Sequence, residues 1–451
     1  MCIIMKYFSE PERKTEVCYD ADICVVGGSC TGVFAAVRAA RLGAKVVIVE
    51  KHNSFGGVAT SGLVCAWHTF RDFDNNREII AGLSREIVER LKMADSIDEP
   101  GDRNLFYNFN SQELKIELDM LIKENKIKAY LHTYYASVIH ENGEVQAIVI
   151  ENKDGRKAIT AKFFVDASGD GDIARDLKLS SYYSQVPQPP TSCFVLNGFV
   201  SNKELNNLYN EHGAEFGLSD DWGWSMPYIG NMSMRADNHI YNVMCNKADD
   251  LTYAEIEGRR QMRALISLIN KYGTNIQKYK LVMACSEIGI RETAHFETEF
   301  KATEMGLLLG EKYDDAILNG TYRVDIHHAE ANGITLKELN GDTTSHYGKG
   351  KKTEKYNWRE KMGISGDYPQ YYQVPFKILV NKKYKNFIPV GRMINADEGA
   401  FGALRVMVNL NQLGEAAGVA AYYAITNNIA IGDIDGKEIK SLLNKGGSVI
   451  N

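Results

Sequence analysis

One short stretch constrains the fold of this 451-residue chain more than any other. Residues 21–50 read ADICVVGGSCTGVFAAVRAARLGAKVVIVE. A β-branched apolar run precedes a glycine cluster, an alanine-rich stretch with helical spacing, and a second apolar run. This order predicts a strand, a tight turn, a helix and a second strand parallel to the first. The chain is therefore expected to contain an α/β unit with a parallel sheet.

The glycines of this unit follow, with one exception, the spacing that binds the diphosphate of a dinucleotide. Gly27 suits the turn and Gly32 lets the helix pack closely on the sheet, while Ser29 stands where the pattern has its second glycine. We interpret Ser29 as a tolerated variant, because serine is small and its hydroxyl can donate to phosphate. Glu50 follows about twenty residues later, where a carboxylate accepts hydrogen bonds from ribose hydroxyls. The motif predicts a dinucleotide site, which NAD and FAD fit equally.

Three further segments distinguish between the two cofactors. KHNSFGGVATSGLV at 51–64 follows Glu50 directly, and FFVDASGDGDIA at 163–174 ends a strand in small residues. The segment 387–424 gives a strand, Gly391, Arg392, a loop and a glycine- and alanine-rich helix. Together these segments resemble the family of FAD-dependent oxidoreductases related to the succinate dehydrogenase and fumarate reductase flavoproteins, in its soluble bacterial branch. SEIGIRET, DAILNGTYRVDIHH and YYQVPFKILV, at 286–293, 315–328 and 371–380, extend the resemblance over most of the chain.

The resemblance implies a glutathione-reductase-like Rossmann domain for FAD, with a parallel sheet and a β-meander, and an inserted α+β substrate domain. Residues 16–75, 111–180 and 385–451 are assigned to the FAD-binding domain, and residues 76–110 and 181–384 to the substrate domain. Helical spacing at 78–96, 111–125 and 252–271 predicts helices, and the turn signals ENGE and NKDG between 128 and 165 predict hairpins. No second glycine fingerprint follows, so a separate NAD(P)H domain is not expected.

The resemblance also implies which residues contact the cofactor. The amides near Arg405, Val406 and Met407, at the start of the last long helix, would face the flavin pyrimidine edge, and the backbone near Val138 would face adenine. Asp172 would hold a phosphate-bound water or cap the next helix. The expected cofactor-binding residues are Gly27, Gly28, Ser29, Thr31, Gly32, Glu50, Lys51, Gly57, Ala59, Thr60, Ser61, Val138, Ala167, Ser168, Gly169, Asp172, Gly391, Arg405 and Val406.

Three residues are catalytic candidates: Arg291, His327 and Arg392. Arg291 could bind an anionic substrate or pair with Glu292 next to it in a structural ion pair. His327 and His328 lie in a strand-like run, in which alternation turns one of them to the site; the resemblance favours His327. Arg392 flanks the C-terminal flavin loop, where a structural or cofactor-binding role is the alternative.

Several cysteines and one histidine lie close to the flavin motifs. Cys30 falls at a helix N-terminus, where the dipole lowers a thiol pKa, although a small residue filling a crowded turn is the simpler interpretation. Cys65 and His68 follow the flavin loop, and some relatives attach FAD through a histidine in such a position. GLVCAWHTF matches that attachment motif poorly, so non-covalent FAD is expected rather than covalent FAD.

Composition excludes several other classes of protein. The net charge of -6 and the lack of dense Lys and Arg runs argue against a nucleic-acid partner. Eight cysteines without a CxxC pair predict neither a zinc site nor a disulfide framework. The apolar part of MCIIMKYFSEPERK is too short for a signal peptide, and no apolar run is long enough to span a membrane. A cytoplasmic location is therefore expected.

The leading hypothesis is hydride transfer between a small organic substrate and flavin N5, with a separate and unidentified electron donor or acceptor. A flavin oxidase or monooxygenase that uses oxygen is the first alternative, and a non-catalytic flavin-binding protein is the second. A relative of flavin-dependent tRNA-modifying enzymes would share the FAD domain but is disfavoured by the charge balance. The substrate, the direction of the reaction and the oligomeric state, including a homo-oligomer, are left open.

Overall fold

The computed structural model describes residues 7–101, 105–218, 223–275, 277–328, 333–348 and 352–450. Cys2 and the first six residues of the segment considered as a signal peptide lie outside the described residues. The helices are α1 Cys30–Arg41, α2 Leu83–Met93, α3 Ser111–Glu124, α4 Asp172–Asp176, α5 Asn202–His212, α6 Ala248–Tyr272, α7 Glu304–Leu308, α8 Trp358–Lys361, α9 Glu398–Leu404, α10 Met407–Asn427 and α11 Gly436–Lys445.

Twenty-two strands accompany these helices in the described residues. They are β1 Val17–Val26, β2 Val46–Val49, β3 Ala66–His68, β4 Ile97–Asp98, β5 Phe106–Phe109, β6 Lys128–Tyr130, β7 Tyr134–Glu141, β8 Glu144–Asn152, β9 Gly155–Asp166, β10 Ser181–Tyr182, β11 Phe194–Leu196, β12 Trp224–Pro227, β13 Ser233–Ala236, β14 Leu281–Ala284, β15 His295–Phe296, β16 Ala316–Gly320, β17 Val324–His327, β18 Gly333–Lys337, β19 Asp342–Tyr347, β20 Thr353–Asn357, β21 Tyr372–Pro375 and β22 Phe387–Pro389.

A seven-stranded sheet forms the centre of the molecule. Its strands follow the order β6-β2-β1-β9-β8-β7, with β22 paired to β9. β6, β2, β1, β9 and β22 are parallel, whereas β7, β8 and β9 form an antiparallel meander. The long strand β9 pairs with β8 over its first half and with β22 over its last residues. This arrangement confirms the α/β fold with a parallel sheet and a β-meander.

Helix α10 packs on α1 at very short range, and its small residues explain why. A Cβ atom at Gly414 would lie 2.2 Å from the carbonyl oxygen of Thr31, and one at Gly418 would lie 2.1 Å from that of Ala35. The glycines therefore let the two backbones touch. This contact brings the C-terminal segment of the chain against the first βαβ unit.

A buried ion pair stabilises the same contact. Nε of Arg38 in α1 donates to Oε2 of Glu415 in α10 at 2.7 Å, and both side chains are buried. Oε1 of Glu415 accepts from the amide of Leu83, the first residue of α2. Three helices are thus connected by one carboxylate.

The predicted helices and hairpins agree with the structure, except that helix α2 is shorter than the predicted stretch 78–96. α3 and α6 match the predicted stretches closely, and β7 to β9 turn at ENGE and NKDG. α2 begins later than predicted, because Ile79 and Ile80 donate their amides to the carbonyl of Phe70 instead of entering the helix. None of the helices in the described ranges is both long enough and apolar enough to cross a membrane.

Candidate cofactor and substrate site

A cavity of about 820 Å³ opens at the carboxyl ends of β1, β2 and β9, where ligands bind in open parallel sheets. The antiparallel strands β12, β17 and β18, together with β3 and β5, supply its other walls. The predicted site residues that line this cavity are Gly27, Ser29, Thr31, Glu50, Lys51, Gly57, Ala167, Ser168, Gly169, Arg291, His327, Gly391, Arg392, Arg405 and Val406.

Seven predicted residues do not line the cavity: Gly28, Gly32, Ala59, Thr60, Ser61, Val138 and Asp172. The carbonyl of Ala59 accepts from Ser111, and the hydroxyl of Thr60 donates to the carbonyl of Phe55. Val138 pairs with Ile148 inside the meander. These residues therefore hold the loops that carry the lining residues.

The glycine turn exposes the N-terminus of α1 to the cavity. Gly27 has φ +102° and donates its amide to Val49 of β2, and a Cβ atom at Gly32 would lie 1.9 Å from the carbonyl oxygen of Gly27. Ser29 is the N-cap of α1, and its side chain makes no capping hydrogen bond. Unsatisfied amides at a helix N-terminus attract phosphate. Ser29 fits in place of a glycine because Gly57 beside it has no side chain.

Glu50 lies at the end of β2 and is buried. Its Oε2 accepts the amide of Gly28 at 2.5 Å, and its Oε1 accepts the amide of His52 at 2.8 Å. The backbone therefore fixes the carboxylate at the cavity wall. Each oxygen retains a lone pair that could accept a ribose hydroxyl.

Asp166, and not Asp172, satisfies the start of α4. Oδ2 of Asp166 accepts the amides of Ile173 and Ala174, and its Oδ1 accepts the hydroxyl of Ser168. Asp172 is the first residue of the helix and bonds Arg175. Burial and then the charge of Asp172 raise the pKa of Asp166 to about 6. The expectation that Asp172 caps the helix is therefore wrong, because Asp166 at the end of β9 reaches these amides first.

The N-terminus of α10 is the second helix end that opens into the cavity. Val406 is its N-cap and has no side-chain group that could cap the helix. Arg405, Val406 and Met407 line the cavity. The amide of Arg405 donates to Phe401, so this amide ends α9 and is not available to a ligand. The partial positive charge of α10 stabilises negative charge placed at its start.

A group of four polar side chains, named here the His327 cluster, lies in the wall formed by β17. Oδ1 of Asp325 lies 3.1 Å from Nδ1 of His327. Nη2 of Arg405 lies 3.3 Å from Oδ1 of Asp325 and 3.4 Å from Nδ1 of His327. Tyr322 donates its hydroxyl to Oδ2 of Asp325 at 2.7 Å. His328 faces away from the cavity and contacts Thr335, as alternation along a strand requires.

Burial sets the protonation of this cluster. It lowers the pKa of His327 well below its usual value, and the charge of Arg291 adds to this effect against the opposing charge of Asp325. Burial alone would raise the pKa of Asp325, but the charges around it and the hydrogen bonds from His327 and Tyr322 lower it by more. A neutral imidazole facing a carboxylate carries its hydrogen on Nδ1, so Nε2 has the acceptor lone pair.

Arg291 lines the cavity, but it does not pair with Glu292. Its Nη1 donates to the carbonyl of Pro189 at 2.6 Å and to the hydroxyl of Thr191 at 2.5 Å. Burial and the charge of Arg405 lower the pKa of Arg291 to about 10. Glu292 accepts hydrogen bonds from His295, Ser184 and the amide of Gln188. The alternative of an Arg291–Glu292 pair is therefore wrong.

Arg392 lies at a different place in the cavity from Arg291. Its guanidinium pairs with Asp170 and lies against Gly169, both in the loop after β9. The His327 cluster contains Arg405 instead. Arg392 thus lies with the dinucleotide-binding segments.

The thiols near the flavin motifs are buried. Burial raises the pKa of Cys30 to about 12, which outweighs any effect of the helix dipole on this thiol. Cys65 is fully buried, and burial raises its pKa to about 12. His68 lines the cavity, and burial, with the charge of Arg323, lowers its pKa to about 3. The seven cysteines within the described ranges are free thiols.

The sequence did not predict two contacts between acidic and histidine side chains in the cavity, that of Asp325 with His327 and that of Glu287 with His52. Asp325 could have been recognised, because its spacing of two residues from His327 places both on one face of a strand. His52 and Glu287 also line the cavity, with Nε2 of His52 2.5 Å from Oε2 of Glu287. Burial lowers the pKa of His52, but the hydrogen bond and charge of Glu287 raise it by more. No local pattern connects residues this far apart in sequence.

The cavity suits an elongated dinucleotide with a ring system at one end. The starts of two separate helices, α1 and α10, and the carboxylate of Glu50 all line this one cavity. Nε of Arg392 and Nε of Arg405 are buried and have no acceptor in the described part of the chain. These unsatisfied donors fit a ligand with anionic and carbonyl oxygens. FAD has this form.

Known proteins were compared with the chain in sequence and in fold. The chain is 26% identical over 343 residues to the mitochondrial dihydrolipoyl dehydrogenase of Schizosaccharomyces pombe, which covers 69% of this chain and 61% of that protein. The chain thus spans less than two thirds of that relative. A geranylgeranyl bacteriochlorophyll reductase-like protein of Thermoplasma acidophilum has a TM-score of 0.47 at 12% identity, over 95% of this chain and 82% of the other. A myxobacterial FAD-dependent chondrochloren halogenase has a TM-score of 0.45 at 12% identity, and the match covers 95% of this chain and 79% of that protein.

A family model matches most of the chain. The model described as FAD dependent oxidoreductase matches residues 22–443. This range includes the glycine turn, the loop after β9 and the start of α10, so the resemblance inferred from the motifs is confirmed. The chain belongs to the family of FAD-dependent oxidoreductases, and FAD is its cofactor.

Proposed function

We propose that this protein transfers a hydride between a small organic substrate and N5 of FAD, and that His327 exchanges the accompanying proton. One observation carries the proposal: a single cavity contains both the dinucleotide-binding turn and the His327 cluster. In this proposal Ser29 and Thr31 lie at the diphosphate and Glu50 lies at the ribose. The division into an FAD domain and a substrate domain is part of the proposal, since every strand of the central sheet comes from residues 16–75, 111–180 or 385–451.

The cofactor supplies a two-electron acceptor or donor at N5 when it is bound. In the direction of substrate oxidation, an alcohol carbon loses a hydride and the hydroxyl loses a proton. Nε2 of His327 accepts that proton, because its Nδ1 hydrogen already points at Asp325. The resulting imidazolium is stabilised by the carboxylate of Asp325. The same groups return the proton when the carbonyl compound is reduced.

Two arginines assist this transfer by their charge. Arg405 lies in the His327 cluster and Arg291 lies close enough to lower the pKa of His327. Fixed positive charge in a cavity shielded from water stabilises an oxyanion as it develops. If the start of α10 holds the pyrimidine edge of the flavin, as proposed here, its dipole would stabilise negative charge on the reduced ring.

Anaerobic reduction of the bound flavin tests the proposal. The purified protein is saturated with FAD and kept without oxygen. The oxidised protein is mixed with a panel of small alcohols, and the chemically reduced protein is mixed with a panel of small carbonyl compounds. Loss or recovery of the oxidised flavin absorbance with one class of compound supports hydride transfer. Rapid peroxide formation from air after substrate reduction would instead favour an oxidase. Flavin that no compound reduces or reoxidises would favour the non-catalytic alternative.

A further inference from the structure

Strands β3 and β5 present one face to the cavity. They pair antiparallel, with Ala66 opposite Asn108 and His68 opposite Phe106. All four of these residues line the cavity. Tyr107 lies between Phe106 and Asn108 on β5 and points to the opposite face of the strand. Its ring packs on that of Phe70, with the centroids 4.6 Å apart. The cavity-facing residues Ala66, His68, Phe106 and Asn108 are named here the β3–β5 wall.

Two polar atoms of this wall lack a partner. Nδ1 of His68 and Oδ1 of Asn108 are buried and form no hydrogen bond within the described residues. A buried polar atom without a partner destabilises a fold, and such atoms in a cavity wall are normally satisfied by a ligand or a water. The wall therefore offers one imidazole and one amide to a bound molecule.

The surroundings of these two groups are apolar. Phe106 lies in the same wall, and Trp224 and Met226 of β12 with Ile334 and Leu336 of β18 line the same cavity. Arg323 also lines the cavity and its charge acts on His68, but its Nη1 is held by Oε1 of Glu338 at 2.9 Å. A carboxylate placed against the wall would thus face a neutral amide, a neutral imidazole and a guanidinium that already has a carboxylate partner.

The β3–β5 wall adjoins the proposed reacting groups. The ring of His68 lies edge-on to that of Tyr322, with the centroids 5.1 Å apart. Tyr322 in turn donates to Asp325, the partner of His327. A molecule that contacts His327 through its reacting oxygen can therefore rest its remaining atoms on the wall.

We infer that the β3–β5 wall binds the body of the substrate, and that this body is aromatic, uncharged and carries a hydroxyl or carboxamide group for His68 and Asn108. The inference rests on the proposed function, since it places the reacting alcohol or carbonyl at the His327 cluster. Aromatic rings suit the apolar side chains of β12 and β18. The low pKa of His68 supports the choice of an uncharged group, because a neutral imidazole provides no counter-charge.

Ligand binding to the FAD-loaded protein tests this inference independently of turnover. The probes are 4-(hydroxymethyl)benzamide, 4-(hydroxymethyl)phenol, 4-(hydroxymethyl)benzoate and malate, and binding is read from the change in the flavin absorbance spectrum without oxygen. We expect the benzamide or the phenol to bind at least ten times more tightly than the benzoate and malate. N108L should weaken the binding of the neutral probes by about tenfold or more. N108D, which keeps the size of the side chain, should weaken the binding of the benzoate below its wild-type level.

Y107F provides the matched control, because Tyr107 lies on the same strand but on its other face. It should bind all four probes as the wild-type protein does. Equal or tighter binding of the benzoate or of malate would overturn the inference, as would unchanged binding in N108L. Loss of FAD from both Asn108 variants would assign the wall to the cofactor and overturn it as well. Neutral probes that bind with the expected preference but never reduce the flavin would support the wall and refute hydride transfer.

Discussion

Asp325 and His327 occupy the same face of β17, with Oδ1 of the carboxylate 3.1 Å from Nδ1 of the imidazole. This relationship fixes the tautomer of His327 and directs the lone pair of its Nε2 away from Asp325. Burial keeps the imidazole neutral, so it can accept a proton. A buried carboxylate that orients a histidine is a common device for general base catalysis.

Substitution of either member of this pair should slow flavin reduction. We expect His327→Asn and Asp325→Asn to lower the rate of anaerobic flavin reduction by about 10²–10⁴-fold, which is the usual contribution of a general base. FAD content should not change. The matched control is His328→Asn, because His328 neighbours His327 but faces away from the cavity. Equal rates for H327N and H328N would refute the role of His327.

The pH dependence of flavin reduction should report the low pKa of His327. In the direction of substrate oxidation the neutral imidazole is required, so the rate should fall as the pH drops through the lowered pKa, at a pH below the usual histidine value of 6.5. The charged and titratable groups that face His327 are Asp325, Arg291, Arg405 and His239. R291Q should move the acidic limb toward higher pH, because it removes a positive charge. An acidic limb centred at or above pH 6.5 in the wild-type protein would contradict this account.

The turn before α1 should tolerate no side chain at Gly32. A Cβ atom there would lie 1.9 Å from the carbonyl oxygen of Gly27, so Gly32→Ala must displace the turn that we propose holds the diphosphate. We expect G32A to be purified with less than half of the FAD content of the wild-type protein, measured by the ratio of flavin to protein absorbance. G432A is the control, because a Cβ atom at Gly432 meets nothing within 4 Å. Full FAD content in G32A would show that FAD binding does not depend on the observed geometry of the turn.

The ion pair between α1 and α10 should contribute strongly to stability. Glu415→Gln leaves the buried guanidinium of Arg38 without its counter-charge, which costs about 3–5 kcal/mol in comparable buried pairs. The free energy of unfolding, measured by denaturant titration with saturating FAD, should fall by this amount. The exposed pair of Lys162 and Asp22 provides the control, and K162M should leave the unfolding midpoint unchanged. A similar midpoint for E415Q and the wild type would show that the pair is not stabilising.

Local patterns were sufficient to predict the core of the fold. The βαβ unit could be predicted because apolar runs, the glycine turn and helical spacing all lie within 21–50. The pairing of β22 with β9 could not be derived from such patterns, since more than two hundred residues separate the strands. The resemblance to known flavoproteins assigned the C-terminal segment to the FAD-binding domain, which stays a prediction, and the structure shows α10 in close contact with α1.

The site was predicted less completely than the fold. His327 was favoured over His328 correctly as the cavity-facing residue: strand alternation, a local rule, predicted that only one of them faces the site, and the family resemblance selected His327. Arg405 contacts His327 from 78 residues away, and the β3–β5 wall depends on the pairing of two short strands, so neither contact has a sequence signal. Cys30 illustrates a competition between effects: the helix dipole predicted a low pKa, but complete burial raises it.

The deuterium isotope effect on anaerobic flavin reduction tests the central claim most directly. Any alcohol that reduces the flavin is compared with the same alcohol deuterated at the carbon that bears the hydroxyl, in rapid mixing with the FAD-loaded protein. Hydride transfer to the cofactor predicts that the deuterated compound reduces the flavin several-fold more slowly, since its C–D bond breaks in the measured step. Both compounds are used at saturating concentrations with the wild-type protein. Identical rates of flavin reduction would contradict hydride transfer as the reaction of this protein.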